Sequence, residues 1–181
     1  MKFEQQYIQG VWLIEPKRFG DNRGYFCETF KLAEFEANIG KVNFVQENES
    51  MSRYGVVRGL HFQKGEWSQA KLVRISQGRI LDVVVDLRGD SATFGKTFQV
   101  ELSADNGLQL FIPKGFAHGF AVLSEMAQFQ YKVDNVYCPE SECTLKFDDP
   151  ELGIDWLLPS SEMILSEKDL RGLPLKNIKP F

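Results

Sequence analysis

Two histidines, His61 and His118, are the side chains of this sequence best matched to moving a proton near neutral pH. His61 follows Arg58-Gly59-Leu60, and His118 sits in Pro113-Lys114-Gly115-Phe116-Ala117-His118-Gly119-Phe120. A lone histidine beside an apolar run is more often structural than catalytic, so neither carries a function by itself. A base needs a partner that holds its tautomer and an electrophile for the charge that develops. Lys71, at the head of a strand-like run, supplies a cation, and Tyr131, in Phe129-Gln130-Tyr131-Lys132, supplies an acid able to return a proton from the opposite face. That set suits proton abstraction beside a carbonyl, with the cation on the developing enolate. Arg23 in a Gly-rich turn, Arg58 just before His61 and Lys168 near a possible helix start are candidates for holding an anion. Taken singly each is an ordinary solvated charge, and spacing alone does not join them.

The Pro-x-Gly-x-x-His spacing ending at His118 resembles the second sequence motif of cupins. The first motif normally supplies His-x-His and a later Glu. Here the matching place reads His61-Phe62-Gln63, so one ligand position is lost. Catalytic zinc and iron sites take three protein ligands from histidine and carboxylate. Two histidines with Gln63 make a weak set, which only Glu66 or another carboxylate could complete. The expectation is a barrel interior that keeps a site without a metal.

The elements that must position these groups are short. Apolar runs recur with turn signals between them: Val11 to Ile14, Tyr25 to Phe30, Val42 to Glu47, Val56 to Phe62, Lys71 to Ser76, Ile80 to Leu87, Phe98 to Leu102, Gln109 to Ile112, Gly119 to Leu123 and Gln128 to Val133. Many short strands at close spacing predict an all-β sandwich or barrel. Lys31 to Gly40 departs from that pattern. Leu32, Phe35 and Ile39 fall at helical spacing and Gly40 suits a C-terminal cap. Ser166-Glu167-Lys168-Asp169 reads as a second, short helix start, and the remainder after Pro159 reads as loop and tail packed on the barrel.

Bulk properties narrow the classes. A length of 181 residues suits one domain, 1–181, with a full core, and the net charge of -4 argues against broad nucleic-acid binding. The 13% aromatic content fits pleated, half-buried surfaces, with a few rings free to stack on a planar ligand. No stretch is apolar enough to span a membrane, and Met1 to Gln6 opens no signal region. Three cysteines, Cys27, Cys138 and Cys143, lack metal-type spacing and point to a reducing, cytoplasmic setting.

Read as an ordered set, the blocks resemble one family over nearly the whole chain, from about Gly10 to Pro174. They are Phe19-Gly20-Asp21-Asn22-Arg23-Gly24, Phe44-Val45-Gln46-Glu47-Asn48, Val57 to Gln63, Lys71-Leu72-Val73-Arg74, Ser91-Ala92-Thr93-Phe94-Gly95, Ile112 to Phe120, Tyr131-Lys132, Gly153-Ile154-Asp155-Trp156 and Leu165 to Asp169. The chain is similar to the dTDP-4-dehydrorhamnose 3,5-epimerases (the RmlC family). The resemblance implies a cupin-type jelly-roll β-barrel with a few short helices, a homodimer with exchanged N-terminal segments, and no metal or organic cofactor. It implies dTDP-4-dehydro-6-deoxy-D-glucose as substrate, inverted at C3 and C5 to dTDP-4-dehydro-6-deoxy-L-mannose on the way to dTDP-L-rhamnose. By position it makes His61 the base, Asp169 the carboxylate paired with it, Lys71 the enolate stabiliser and Tyr131 the proton donor. It assigns substrate contacts to Arg23, Glu28, Gln46, Glu47, Asn48, Arg58, His118, Glu142 and Lys168, and the thymine ring to Phe19 and Tyr137. Arg23 and Glu28 are expected to serve the partner's site. Glu47 stands where the family frequently carries Asp.

Three other readings compete. A mono-epimerase acting at C3 or C5 alone keeps the same His, Lys and Tyr set. A metal-dependent cupin such as a dioxygenase requires the ligand that Gln63 does not supply. A non-catalytic sugar-nucleotide binding protein needs the arginines and aromatics, but not a base, an orienting carboxylate and an acid together.

Overall fold

A computed structural model describes residues 1–181. Thirteen strands form two facing sheets and a separate hairpin. The strands are β1 (Lys2–Gln5), β2 (Trp12–Glu15), β3 (Arg18–Asp21), β4 (Gly24–Cys27), β5 (Gln46–Arg53), β6 (Val57–Gln63), β7 (Lys71–Gln77), β8 (Arg79–Asp86), β9 (Thr97–Ser103), β10 (Gln109–Ile112), β11 (Phe116–Val122), β12 (Met126–Val133) and β13 (Glu142–Thr144). One sheet runs β1-β2-β10-β7-β12-β5 and the other β13-β6-β11-β8-β9, while β3 and β4 pair only with each other. The pairings are antiparallel throughout. This is the all-β jelly roll expected from the sequence.

The two sheets differ in what covers their outer faces, and the sequence reflects it. Strand β8 (Arg-Ile-Leu-Asp-Val-Val-Val-Asp) is buried along nearly its whole length. Ile80 and Val84 point inward to a core shared with Val73, Ile75, Phe120 and Phe129. Leu81, Val83 and Val85 point outward, beneath Leu145, Leu152, Trp156, Leu175 and Ile178 of the C-terminal region. A strand covered on both faces needs no polar alternation. The tail after Pro159 thus packs on the barrel, as expected, and it also carries a short helix, α2 (Glu167–Leu170).

The other helix, α1 (Leu32–Asn38), covers one end of the six-stranded sheet. Seven residues are too few to be helical alone, so tertiary packing must hold it. Phe35 is buried against Phe30, Phe44 and Phe111, with centroid separations of 5.6, 5.6 and 5.3 Å. Burying such a side chain contributes about 2–3 kcal/mol. Ile39 is the C-cap and Gly40 follows at φ +113°.

Three strands fall outside the expected runs. β1 has a single half-buried apolar residue, Phe3, and β13 has three residues. The Gly20-to-Gly24 segment, read as a turn, is the tip of the β3–β4 hairpin, with Asp21 opposite Gly24. The run expected over Val42 to Glu47 starts later and extends further, as β5.

Candidate active site

The strongest local constraint on the site is a bulge. β6 pairs with β11 as His61 opposite His118, then slips register between His118 and Phe120. In a regular strand, residues three apart face opposite ways. The slip brings Arg58 and His61 to the same inner face, and both line one cavity. Glycine makes this possible. A Cβ on Gly59, at φ +122°, would lie 2.5 Å from the Cα of Gly119 and 2.8 Å from the carbonyl oxygen of His118.

The cavity has a volume of about 320 Å³ and lies between the two sheets. His61, His118 and Arg58 enter from the five-stranded sheet, and Lys71, Tyr131 and Ser50 from the six-stranded one. Phe129 stacks on Phe120 at 4.5 Å and contacts the rings of His118 and Tyr131, which separates the polar groups from the apolar core. Tyr137, Glu142 and Lys168 line the cavity as a linked group: Lys168 Nζ donates to Glu142 at 2.7 Å and the Tyr137 hydroxyl donates to its other oxygen at 2.8 Å.

His61 Nε2 lies 2.7 Å from Asp169 Oδ1, which also accepts the Gly59 N–H at 3.1 Å. Asp169 Oδ2 accepts the backbone N–H and the hydroxyl of Ser166, closing a capping box at the start of α2. Burial alone would raise the Asp169 carboxyl, but the hydrogen bonds from His61, Ser166 and Gly59 outweigh it and hold the group far below the usual carboxylate range. An ionised carboxylate only accepts, so Nε2 of His61 carries the proton and Nδ1 is left as the basic nitrogen.

A second pair stands beside it. His118 Nε2 lies 2.9 and 3.1 Å from the two oxygens of Asp82, and both residues are buried. Burial lowers the proton affinity of His118; Asp82 opposes that and the Lys71 charge adds to it. The ammonium of Lys71 is likewise pushed down, to about 8, chiefly by burial, with Asp82 and Glu142 opposing. Burial raises the Tyr131 phenol, against the nearby Arg58 charge, so it holds its proton at neutral pH.

Of the residues singled out from the sequence, His61, Lys71, Tyr131, Arg58, His118, Tyr137, Glu142 and Lys168 line the cavity, and Asp169 lies behind His61. Gln46 and Asn48 share the face of β5 that carries Ser50, with Asn48 opposite Tyr131 and a 2.7 Å bond between the two amides. Glu47 is turned to the other face by strand alternation, where it accepts from Lys132 Nζ at 2.7 Å. Its extra methylene relative to Asp therefore acts on that ion pair. Phe19, Arg23 and Glu28 do not line the cavity of their own chain. They lie on or just after the β3–β4 hairpin, where Arg23 pairs with Asp21 and Glu28 with Lys31.

The sequence reading missed Asp82. Its signal was present: a carboxylate inside the apolar run Ile80 to Leu87 is too costly to bury without a partner. It also treated Gln63 only as a lost ligand, whereas the amide is fully bonded to backbone groups at 2.7, 2.7 and 3.1 Å. No group of three histidine, cysteine or acidic side chains is gathered as a metal would require.

A family model described as dTDP-4-dehydrorhamnose 3,5-epimerase matches residues 5–177. The dTDP-4-dehydrorhamnose 3,5-epimerase of Escherichia coli K12 is 53% identical over 172 residues, covering 94% of this chain and 92% of that protein. The crystal structure of dTDP-4-dehydrorhamnose 3,5-epimerase from Elizabethkingia anophelis superposes with a TM-score of 0.95 at 52% identity, covering 98% and 97% of the two chains. A Legionella pneumophila enzyme, dTDP-6-deoxy-D-glucose-3,5-epimerase, solved in complex with dTDP-4-keto-L-rhamnose, superposes with a TM-score of 0.94 at 45% identity, covering 98% and 94%.

Proposed function

This chain belongs to the family of dTDP-4-dehydrorhamnose 3,5-epimerases, and on that premise we propose that His61 and Tyr131 are the opposed base and acid of a double epimerisation. The chain is an isomerase that converts dTDP-4-dehydro-6-deoxy-D-glucose to dTDP-4-dehydro-6-deoxy-L-mannose, a step of dTDP-rhamnose synthesis. The observation that carries the assignment is that the two groups enter one cavity from facing sheets.

The chemistry follows from the C4 ketone, which acidifies the hydrogens at C3 and C5. Nδ1 of His61 takes the hydrogen from the face it lines, and the electron pair left behind delocalises onto the C4 oxygen as an enolate. The Lys71 ammonium stabilises that oxygen. The enolate then takes a proton from the Tyr131 hydroxyl on the other face, which inverts the carbon. His61 gives its proton to solvent and Tyr131 regains one, so the enzyme returns to its starting state. Arg58, His118, Glu142 and Lys168 hold the sugar and diphosphate, Tyr137 the base, and Gln46 and Asn48 the approach along β5.

Dimerisation is proposed for the hairpin. Phe19, Tyr25 and Phe26 are exposed on β3 and β4, which pair with no other strand of their own chain. Exposed aromatics in a cluster mark an interaction surface. A second copy would cover them and receive Arg23, Glu28 and Phe19, the contacts that do not reach their own cavity. The whole of 1–181 acts as one domain in this reading. Its free thiols, Cys27, Cys138 and Cys143, fit a reducing cytoplasm.

Incubation with the substrate in deuterated water tests the assignment. Wild type should place deuterium at both C3 and C5, which also separates it from a mono-epimerase. Tyr131→Phe should keep exchange and lose inversion, at least at C5, by about 10²-fold or more; unchanged product formation in that variant rejects Tyr131 as the acid.

A further inference from the structure

The segment between β12 and the turn at Pro139 has no ladder partner, yet it carries Tyr137 into the cavity wall. Backbone groups outside a ladder must find other partners. Gln63, the last residue of β6 and 5% exposed, provides them. Its Nε2 donates to the carbonyls of Val136 at 3.1 Å and Trp67 at 2.7 Å. Its Oε1 accepts the N–H of Cys138 at 2.7 Å. The amide therefore grips the backbone immediately before and immediately after Tyr137.

Other ties surround it. Gln69 donates to the carbonyl of Asn135 at 2.8 Å, and Asn135 donates to that of Glu66 at 2.7 Å. Both belong to the same seam between the segment after β6 and the segment after β12, but only Gln63 brackets Tyr137.

We propose that Gln63 is a positioning residue for the nucleobase end of the site, fixing the backbone that presents the Tyr137 ring. This rests on the reading above that Tyr137 holds the base. Side-chain chemistry explains the residue type. One amide nitrogen carries two N–H groups and the amide oxygen accepts, so a single side chain satisfies two carbonyls and one N–H. A carboxylate at this place faces two carbonyls with no proton to give. An imidazole has no nitrogen with two hydrogens. The same geometry turns both polar atoms of Gln63 onto backbone groups rather than into the cavity.

The test is a double-mutant cycle on dTDP affinity, measured by calorimetry, with Gln63→Leu, Tyr137→Ala and the combination. Tyr137→Ala should weaken dTDP binding about tenfold, the loss expected for one stacked base. Gln63→Leu should weaken it by a similar factor in the wild-type background and by less than about twofold once Tyr137 is alanine. Substrate KM should rise with it while kcat changes little, and hydrogen exchange at the Cys138 amide should accelerate. Gln63→Glu, which when buried takes up a proton and so keeps the bond to Cys138 N–H and one of the two carbonyl bonds, gives the same pattern more mildly and serves if the leucine variant does not fold. If Tyr137→Ala leaves dTDP affinity unchanged, the base-holding reading of Tyr137 fails and the inference falls with it. If Tyr137→Ala weakens binding but Gln63→Leu costs the same in both backgrounds, or lowers kcat at unchanged KM, the inference alone is overturned.

Discussion

His61 with Asp169 and His118 with Asp82 are the same pair of groups, bonded through the same ring nitrogen at 2.7 and 2.9 Å, on residues that face each other across β6 and β11. Their surroundings differ. The His61 side chain is 25% exposed, and its carboxylate sits on a helix start supplied from the far end of the sequence. The His118 side chain is 7% exposed, and its carboxylate is wholly buried on β8 beside the Lys71 charge. A catalytic base must take a proton and pass it on, which requires solvent contact and a carboxylate that stabilises the imidazolium. His61 has both. His118 has a carboxylate but is desolvated and faces a cation, so it stays neutral. In the proposed mechanism it offers Nδ1 as a hydrogen-bond acceptor to the sugar. Identical pairs are thus set apart by burial and by the Lys71 charge, and the proposed mechanism uses one as a mobile proton and the other as a fixed contact.

Exchanging the two histidines for asparagine probes that division where the expected effect is largest. His61→Asn should lower hydrogen exchange at C3 and C5 by roughly 10³-fold, within the range that loss of a general base costs. His118→Asn should cost about tenfold, chiefly in KM, the size of one lost hydrogen bond to a bound ligand. Equal losses in exchange rate would remove the distinction between the pairs.

The histidines were legible in the sequence but their partners were not. Asp169 is 108 residues from His61 along the chain, and no spacing rule joins them. It entered through resemblance alone. Asp82 stood unremarked in an apolar run, although its burial demanded a partner. The same physics decided which strands could be read. β8 and β11 face apolar neighbours and announce themselves. β5 reads Gln-Glu-Asn-Glu-Ser-Met-Ser-Arg, with no hydrophobic alternation. Its inner face borders the cavity, so Asn48 and Ser50 replace the aliphatic residues that periodicity looks for. A strand that builds a polar site hides from a search for apolar strands. Helix α1 was legible because Phe35 and Ile39 serve packing at helical spacing, although Leu32 of the same stripe is exposed.

The carboxylates sharpen the comparison at intermediate size. Asn in place of Asp169 still caps α2, but its amide can present an N–H to His61 Nε2 and drive the proton to Nδ1, which abolishes the base. The expected fall in kcat is about 10²-fold or more, by analogy with the tautomer error of a serine-protease triad. Asp82→Asn should cost about tenfold if, as proposed, the histidine it fixes only positions substrate. It should also lower the pH at which activity is lost to alkali, because Asp82 opposes the desolvation of Lys71. A pH profile of kcat/KM for Asp82→Asn that overlays that of wild type would show that Asp82 and Lys71 are uncoupled.

The smallest expected effect is on stability, at Lys71, and its sign is opposite to that of the effect on activity. Its folded value of about 8 lies below the ordinary lysine value of 10.5, chiefly through burial. The enolate needs the ammonium, so kcat/KM should decline as pH rises through about 8, and Lys71→Arg should move that limb upward. Stability runs the other way. A lysine whose folded value is depressed costs folding free energy while charged, fully so below its folded value. That cost is relieved as pH rises from about 8 to 10.5. Lys71→Met should therefore be nearly inactive yet melt about 2–4 °C higher than wild type at pH 7. The advantage should shrink as pH rises from about 8 toward 10.5, where wild-type Lys71 is neutral in the folded state and loses its proton in the unfolded one. Melting curves of the two proteins at pH 7 and pH 10 decide it. A variant that melts lower than wild type at pH 7 would mean that Asp82 holds Lys71 as a stabilising ion pair, with the buried pair contributing to the fold as well as to the chemistry.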